Sequence, residues 1–278
     1  MISVAMATYN GEKYIEEQVD SILNQSKPVD EIIIFDDNST DGTLEIIRRY
    51  ADSRIKVHVN DKNVGYIENF YRAITHCKGD YIFLADQDDI WGNDKVKVYL
   101  EVMDKNSAKL VSANFSLIDA NSRELPLSEF TRNRFLKKVD NTGEKYLTLD
   151  FNYLIGGNVL QGATFCINKE VQKIYKEVHD SDVYHDHQLI LIASKLGKVI
   201  FINEELLKYR IHNNNTIGIA KKGSGKLSEL LRVPKKKPAM VKFLDKIDKV
   251  SSIQYYSYYK FLLYLRIPSI RNFIRKII

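Results

Sequence analysis

Cysteine and long apolar runs are scarce in this chain of 278 residues. The only cysteines are Cys77 and Cys166, too few for a disulfide framework or a cysteine-based zinc site. Both lie in apolar surroundings, so we expect two core thiols. No stretch reaches the roughly 18 apolar residues of a membrane-spanning helix, because charged residues interrupt the most hydrophobic one, which begins at Tyr255. The sequence predicts a soluble or membrane-peripheral protein.

Signals for secretion and for several common enzyme classes are also missing. No cationic stretch precedes an apolar block at the N-terminus, so we expect no secretory signal and a cytoplasmic location. The phosphate loop G-x-x-x-x-G-K-[ST], the dinucleotide fingerprint G-x-G-x-x-G and the nucleophile elbow G-x-S-x-G do not occur. P-loop, dinucleotide-binding and serine-hydrolase interpretations therefore lose their main support.

Basic charge is concentrated at the C-terminal end. Residues 221–278 contain 15 Lys or Arg and 3 Asp or Glu, a net charge of +12, while the whole chain carries +5, which leaves −7 for residues 1–220. The segment 221–225, Lys-Lys-Gly-Ser-Gly, is typical of a flexible linker. We therefore predict a main domain over residues 1–220 and a basic helical extension over residues 221–278.

Apolar patterns with strand and helix periods alternate over the first part of the chain. Strands are predicted at 2–8, 31–35, 55–59, 81–85 and 110–113. Helices are predicted at 14–25, around 44–47, at 66–77 and 94–106, and again at 171–178 and 188–196. Strands that alternate with helices imply an α/β fold with a mostly parallel sheet flanked by helices on both faces.

Polar clusters follow three of the predicted strands. They occupy residues 8–11 after the first strand, 36–43 after the second and 86–89 after the fourth. Ligands bind outside the carboxyl ends of the strands in a parallel α/β sheet. We therefore expect the three clusters to face one crevice.

The carboxylates of the second and third clusters would repel one another in a dry cleft unless a cation joined them. Mg²⁺ and Mn²⁺ prefer oxygen ligands, and Asp86 and Asp88 at a strand end fit that role. A solvated acidic turn that caps the next helix is the alternative, and it is the commoner explanation of an isolated Asp-x-Asp. The sheet context and the second acidic cluster favour the cation.

Four ordered segments in about the first 100 residues resemble one known family. They are residues 4–11 (VAMATYNG), 35–43 (FDDNSTDGT), 63–69 (NVGYIEN) and 79–91 (GDYIFLADQDDIW), with weaker matches at 162–165, 184–187 and 209–216. The set is similar to the inverting glycosyltransferases of family 2, which have the GT-A fold, and residues 86–91 resemble bacterial rhamnosyltransferase-like members. The resemblance implies a nucleotide-binding half over residues 1–113 and an acceptor half over residues 114–220.

The resemblance also implies which residues contact the donor nucleotide. Thr8, Asn10 and Glu12 would border the nucleotide. Asp36 would hydrogen-bond the pyrimidine ring, and Asp86 would lie near the ribose. These five residues come from, or lie next to, the three polar clusters, as a single crevice requires.

A further group is implied to hold the diphosphate and its metal ion. Asp88 would bind Mn²⁺ or Mg²⁺. His212 would add a metal or pyrophosphate contact, although an ordinary loop histidine explains it equally well. Arg210 would pair with the pyrophosphate by virtue of its charge.

The acceptor side is implied by the segment His185-Asp186-His187. Family members often have an acidic pair here, so Asp186 matches the catalytic position whereas His185 departs from the pattern. Asp186 would be the general base, although it also fits the N-cap of the helix that follows. His187 and Trp91 are expected on the acceptor side, Trp91 by stacking on a sugar face, with core packing as an equal alternative.

The function implied by the resemblance is metal-dependent transfer of a sugar from a nucleotide diphosphate to a hydroxyl of a growing cell-surface glycan. The first donor expected is dTDP-rhamnose, followed by UDP-galactose or UDP-glucose. Two alternatives stay open. A nucleotidyltransferase would need a Gly-rich basic first loop where residues 8–12 are neutral to acidic, and an inactive sugar-nucleotide-binding scaffold would keep the fold without turnover.

The tail over residues 226–278 combines three lysines at 235–237 with an aromatic run at 255–261. A basic, aromatic helix on anionic lipid explains this composition and would place the enzyme at the inner face of the plasma membrane, beside a lipid-linked acceptor. A helical hairpin that packs on the main domain or mediates a homodimer explains it equally well. Nucleic-acid binding is not expected, because the main domain is acidic.

Overall fold

The computed structural model describes residues 1–129, 139, 143–155, 158–212 and 237–250. Its strands are β1 (Ile2–Thr8), β2 (Glu31–Asp36), β3 (Ile55–Val59), β4 (Tyr81–Ala85), β5 (Ile90–Trp91), β6 (Ala108–Ile118), β7 (Glu124–Leu125), β8 (Tyr146–Leu149), β9 (Cys166–Asn168) and β10 (Lys198–Arg210). Its helices are α1 (Ile15–Leu23), α2 (Thr43–Arg49), α3 (Tyr66–His76), α4 (Lys95–Asn106), α5 (Phe151–Leu154), α6 (Lys169–Val178), α7 (His185–Leu196) and α8 (Lys237–Val250). None of these helices is long and apolar enough to cross a lipid bilayer.

The strands form one mostly parallel sheet in the order β3-β2-β1-β4-β9-β6-β10-β5, with β7 paired to β6 and β8 to β10. Strand β1 is parallel to β2 and β4, β2 is parallel to β3, and β6 is parallel to β10. Short β9 lies antiparallel between β4 and β6 and joins the two halves of the sheet. The α/β fold expected from the alternating pattern is confirmed.

Burial on both faces explains the apolar runs. Every residue of β2 is buried, and β1 and β4 are nearly so. Helix α3 covers β1 and β2 with its buried side chains Phe70, Ala73 and Ile74, while α4 and α7 pack on β6. The Cys77 and Cys166 thiols are free and buried, as predicted. Because side chains cover both faces, the open positions lie at the carboxyl ends of the strands.

The predicted elements of the first 110 residues agree with the structure to within a few residues, but the short strand β5 in this region and the later strands β9 and β10 were not predicted. Strand β9 has only three residues, and its partners lie far away in the sequence. The pairing of β10 with β6 shifts register between Ile202 and Glu205, where polar residues interrupt the apolar pattern. Non-local pairing rather than local periodicity stabilises both strands.

Helix α8 is the described part of the predicted basic extension, and it packs on α6 of the main domain. Its buried side chains are Phe243, Leu244 and Ile247. Lys246 Nζ lies 3.0 Å from Asp180 Oδ2, and Asp248 forms an ion pair with Lys195 of α7. Residues 221–236 and 251–278, which include the predicted linker at 221–225, lie outside the described residues. The domain boundary at residue 220 stays a prediction.

Candidate active site

The loops that follow β1, β2 and β4 meet at the carboxyl edge of the sheet. Tyr9 N donates to Gln87 Oε1 over 2.8 Å, and Gln87 Nε2 donates to Tyr9 O over 3.0 Å. Asn10 Oδ1 accepts a hydrogen bond of 2.8 Å from Thr40 N, and Glu12 Oε2 accepts one of 2.7 Å from the backbone of the second loop. The three predicted polar clusters therefore meet at this edge, and Asn10 and Glu12 join the first loop to the second.

Thr8 and Asp36 are buried where these loops begin. Thr8 Oγ1 donates to Asp36 Oδ2 over 2.8 Å. The backbone N and the hydroxyl of Ser39 donate to the same carboxylate over 2.8 and 2.6 Å. Three hydrogen bonds thus fix the Asp36 carboxylate, and its contact with a nucleotide base stays a prediction.

Asp86, Asp88 and Asp89 form an acidic group directly after β4, and each offers an oxygen within 4.8 Å of the others. Burial, together with the charges of Asp88 and Asp186, raises the pKa of Asp86 to about 7. Burial also raises the pKa of Asp89, and Asp89 Oδ2 is buried with no hydrogen-bond partner among the described residues. A divalent cation would neutralise the group, so these residues fit Mn²⁺ or Mg²⁺.

His212, two residues beyond β10, reaches the same acidic group. Its Nε2 lies 2.8 Å from Asp88 Oδ2, and its ring centroid lies 4.8 Å from that of Tyr14. The side chains of His212 and Asp88 are 11% and 15% exposed. The structure therefore brings the two predicted metal ligands together, and the carboxylates of the acidic group are ligands that suit Mn²⁺ or Mg²⁺.

Arg210 is buried next to the acidic group and is not exposed at the edge of the sheet. Its side chain is 1% exposed, its Nε donates to the Asp88 carbonyl over 2.6 Å, and its Nη2 donates to Glu17 Oε2 over 2.5 Å. The guanidinium thus faces protein acceptors. A contact of Arg210 with the pyrophosphate stays a prediction.

Asp186 lies in the first turn of α7, and its charge contributes, after burial and Asp88, to the raised pKa of Asp86. Asn158 Nδ2 donates to Asp186 Oδ2 over 2.5 Å, and His187 N donates to Oδ1 over 2.7 Å. Burial raises the pKa of Asp186 to about 6. The N-cap of α7 is Tyr184, so Asp186 does not have the capping role that was the alternative.

The neighbouring predicted acceptor residues are buried. His187 is 8% exposed, its Nε2 lies 3.3 Å from the Leu154 carbonyl, and burial lowers its pKa to about 4. Trp91 is 4% exposed, and the Lys95 ammonium lies 3.9 Å from its ring centroid. His185 stacks on Phe70. This placement corresponds to the core-packing alternative for Trp91, and the acceptor role of both residues stays a prediction.

Sequence patterns did not identify three side chains that support the site. Asn158 and Glu17 contact it from distant segments, and no local signal marks either. Lys95 is buried, donates to the Ala163 carbonyl over 3.1 Å and has its pKa lowered to about 7 by burial. The sequence pattern could have predicted that Lys95 is buried, because it lies one turn before the buried Tyr99 on the apolar face of α4.

Comparisons with known proteins agree with this geometry. The model of the family described as glycosyl transferase family 2 matches residues 3–160. The dTDP-rhamnosyl transferase RfbG of Shigella flexneri is 31% identical over 229 residues, which cover 77% of this chain and 73% of that protein. A Bacillus subtilis glycosyltransferase named for teichuronic acid biosynthesis, TuaG, is 37% identical over 132 residues. That match covers 47% of this chain and 52% of TuaG, so the chain matches about half of the length of this relative.

A solved structure shares the fold. The crystal structure of S. aureus TarS 1-349 in complex with UDP-GlcNAc has a TM-score of 0.61 and 18% sequence identity, and the alignment covers 90% of this chain and 73% of that chain. The expected GT-A fold is thereby confirmed. The family match spans more than half of the chain, and RfbG is similar over most of it. The chain therefore belongs to glycosyl transferase family 2.

Proposed function

We propose that this glycosyltransferase moves a sugar from a nucleoside diphosphate to a hydroxyl of a growing cell-surface glycan, with bound Mn²⁺ or Mg²⁺ and with inversion at the anomeric carbon. One observation supports the proposal: Asp86, Asp88 and Asp89 cluster together, and His212 lies 2.8 Å from Asp88. The charge of Asp186 also contributes to the raised pKa of Asp86. A cation site and a separate carboxylate meet the two needs of glycosyl transfer, stabilising the leaving group and accepting a proton.

On the donor side, Asp88 and His212 would hold the cation, with Asp86 and Asp89 next to them. When bound, the ion stabilises negative charge on the departing diphosphate. Asp36, fixed by Thr8 and Ser39, would accept a hydrogen bond from the pyrimidine ring. These contacts would place the diphosphate at the carboxyl edge of β4.

On the acceptor side, Asp186 is the proposed general base. A carboxylate with a pKa of about 6 is ionised at neutral pH and still basic enough to accept a proton. The acceptor oxygen bonds to the anomeric carbon as the bond from that carbon to the diphosphate breaks. The hydroxyl proton moves to Asp186, and the diphosphate leaves with the bonding electrons. A single displacement of this kind inverts the anomeric centre.

The comparisons support an order of donors to test. RfbG, similar over most of both chains, is named a dTDP-rhamnosyl transferase, so dTDP-rhamnose comes first. UDP-hexoses come next, since TarS has been crystallised with UDP-GlcNAc. The name of TuaG supports a polysaccharide as acceptor.

The proposal includes a cytoplasmic enzyme at the inner face of the plasma membrane, where residues 226–278 would contact anionic lipid beside a lipid-linked acceptor. Helix α8 uses part of this segment to pack on α6, which supports a structural role for residues 237–250. Membrane contact would then involve residues 226–236 or 251–278 of the tail. Liposome sedimentation of the full chain, compared with a chain that ends at residue 250, tests this division.

A donor screen tests the proposed activity. The purified chain would be incubated with Mn²⁺ and UDP, GDP or dTDP sugars, and release of the nucleoside diphosphate would be measured. Asp88→Asn and Asp186→Asn should each lower turnover by about 100-fold or more. Asp182→Asn is the matched control, since Asp182 is exposed four residues before Asp186 and should retain full turnover.

Three results would count against the proposal. If the wild-type chain binds donors without cleaving them, the inactive scaffold is favoured. Pyrophosphate release from a nucleoside triphosphate and a sugar 1-phosphate would favour the nucleotidyltransferase. If both aspartate variants keep wild-type turnover, the assignment of the site is wrong.

A further inference from the structure

Arg210, the last residue of β10, contacts both the acidic group and the turn after β6. Its Nε donates to the Asp88 carbonyl over 2.6 Å, and its backbone N donates to Asp89 Oδ1 over 3.0 Å. Its Nη1 donates to the Asp119 carbonyl over 3.2 Å and to Ser122 Oγ over 2.8 Å. One side chain therefore ties the loop after β4 to the turn after β6.

A second set of contacts links the Arg210 guanidinium to His212. Its Nη2 donates to Glu17 Oε2 from helix α1, and its central carbon lies 4.7 Å from the ring centroid of Tyr14. The ring centroid of His212 lies 4.8 Å from that same Tyr14 ring. Arg210 thus contacts the backbone of Asp88 directly and reaches His212 through one aromatic ring.

The buried position makes these contacts specific for arginine. A cation that is 1% exposed loses its hydration, which is costly unless protein acceptors replace the water. The planar guanidinium carries five N–H donors on three nitrogens, and here all three nitrogens donate to fixed acceptors. Lysine has donors on a single nitrogen, so it keeps the charge but cannot satisfy acceptors that lie on three sides.

We propose that Arg210 is a positioning residue that holds Asp88 and His212 in the arrangement that binds the divalent cation. The inference rests on the proposed metal site. It assigns to Arg210 support of the cation ligands instead of direct contact with the pyrophosphate. Residues that orient metal ligands from behind typically contribute about 10- to 100-fold to metal affinity.

The test measures binding of Mn²⁺ alone, because activity would mix metal, donor and acceptor effects. The full-length chain would be titrated with Mn²⁺, and free Mn²⁺ would be followed by electron paramagnetic resonance. The variants are Arg210→Lys and Glu17→Ala, the latter at a half-exposed side chain whose loss should leave the fold intact. Lys208→Met is the matched control, because Lys208 is an exposed cation on the same strand.

The expected result is a Kd for Mn²⁺ raised about 10-fold or more in Arg210→Lys and about threefold in Glu17→Ala, with no change in Lys208→Met. Metal-free binding of UDP and dTDP should be unchanged in all variants. Thermal melting shows which variants fold. If Arg210→Lys does not fold, Glu17→Ala decides, and wild-type Mn²⁺ affinity in that variant overturns the proposal.

Two further outcomes separate the possible failures. Wild-type Mn²⁺ affinity in a folded Arg210→Lys, combined with weaker metal-free binding of UDP or dTDP, would overturn the positioning role and assign Arg210 to the pyrophosphate. Absence of Mn²⁺ binding by the wild-type chain would instead overturn the metal site itself, and the positioning role with it.

Discussion

Removal of the Asn158 amide should change the pH dependence of catalysis in a way that only a general base at Asp186 explains. Asn158 Nδ2 donates to Asp186 Oδ2 over 2.5 Å, and this hydrogen bond favours the ionised carboxylate. In Asn158→Ala the ionised form loses that stabilisation. The pKa of Asp186 should therefore rise from its wild-type value of about 6.

The size of this effect follows from the energy of one hydrogen bond to a charged group, about 1.5–3 kcal/mol, where about 1.4 kcal/mol corresponds to one pH unit. The pKa of Asp186 in Asn158→Ala should then be about 7–8. At pH 7 the ionised fraction would fall from about 90% to between about 50% and 10%. Turnover at pH 7 should fall by about two- to tenfold, whereas turnover near pH 9 should change little.

The assay is the pH profile of kcat/KM between pH 5 and pH 9, measured as release of the nucleoside diphosphate. The acid limb of the wild-type profile should have its midpoint near pH 6, and that of Asn158→Ala about one to two units higher. Asn24→Ala, which removes an exposed amide at the C-cap of α1, serves as control and should follow the wild type. An unchanged acid limb in Asn158→Ala, or an equal loss of kcat/KM at pH 6 and pH 9, would show that Asp186 is not the general base.

Three other predictions concern the packing of α8 and of the site. Phe243→Ala should lower the free energy of unfolding by about 3 kcal/mol in urea denaturation, because Phe243 is fully buried against the main domain. The control Lys249→Ala, at an exposed position of α8, should leave the free energy of unfolding unchanged, and equal values for the two variants would contradict the packing of α8. Gly162→Ala should lower kcat by about tenfold with an unchanged melting temperature, because the added Cβ would lie 3.1 Å from Asp186 Cβ. Trp91→Phe should leave KM for the acceptor within about twofold, since the ring is buried; a larger rise would favour the stacking role.

Local periodicity was sufficient to predict the first half of the fold apart from the two-residue strand β5, which pairs with distant β10. Strand β4, at Tyr81–Ala85, and the helix at Lys95–Asn106 have patterns that their own residues determine. Strand β9 could not be found in this way, because three residues between two distant partners have no period of their own. Strand β10 was missed since its central polar residues resemble a loop, although the sheet continues past them with a shifted register.

Site residues that belong to family motifs could be predicted from the sequence. Contacts that depend only on the packing of distant segments could not. The approach of His212 to Asp88 was anticipated by the family resemblance although 124 residues separate the two. The partners of Arg210 were not, because they come from α1, the turn after β6 and the loop after β4. From the sequence alone, an arginine at this position is expected to bind a phosphate. The structure shows that the acceptors of Arg210 include a carboxylate and two backbone carbonyls of the protein.

The position of a bound Mn²⁺ ion decides whether Asp88 and His212 form the metal site. Crystals of the chain soaked with Mn²⁺ and either UDP or dTDP would be measured at the manganese absorption edge. We expect one strong anomalous peak within coordination distance of Asp88 and His212, with the diphosphate beside it and the nucleotide base near Asp36. A peak at another place on the molecule, or a nucleotide bound with no ion at these residues, would contradict it.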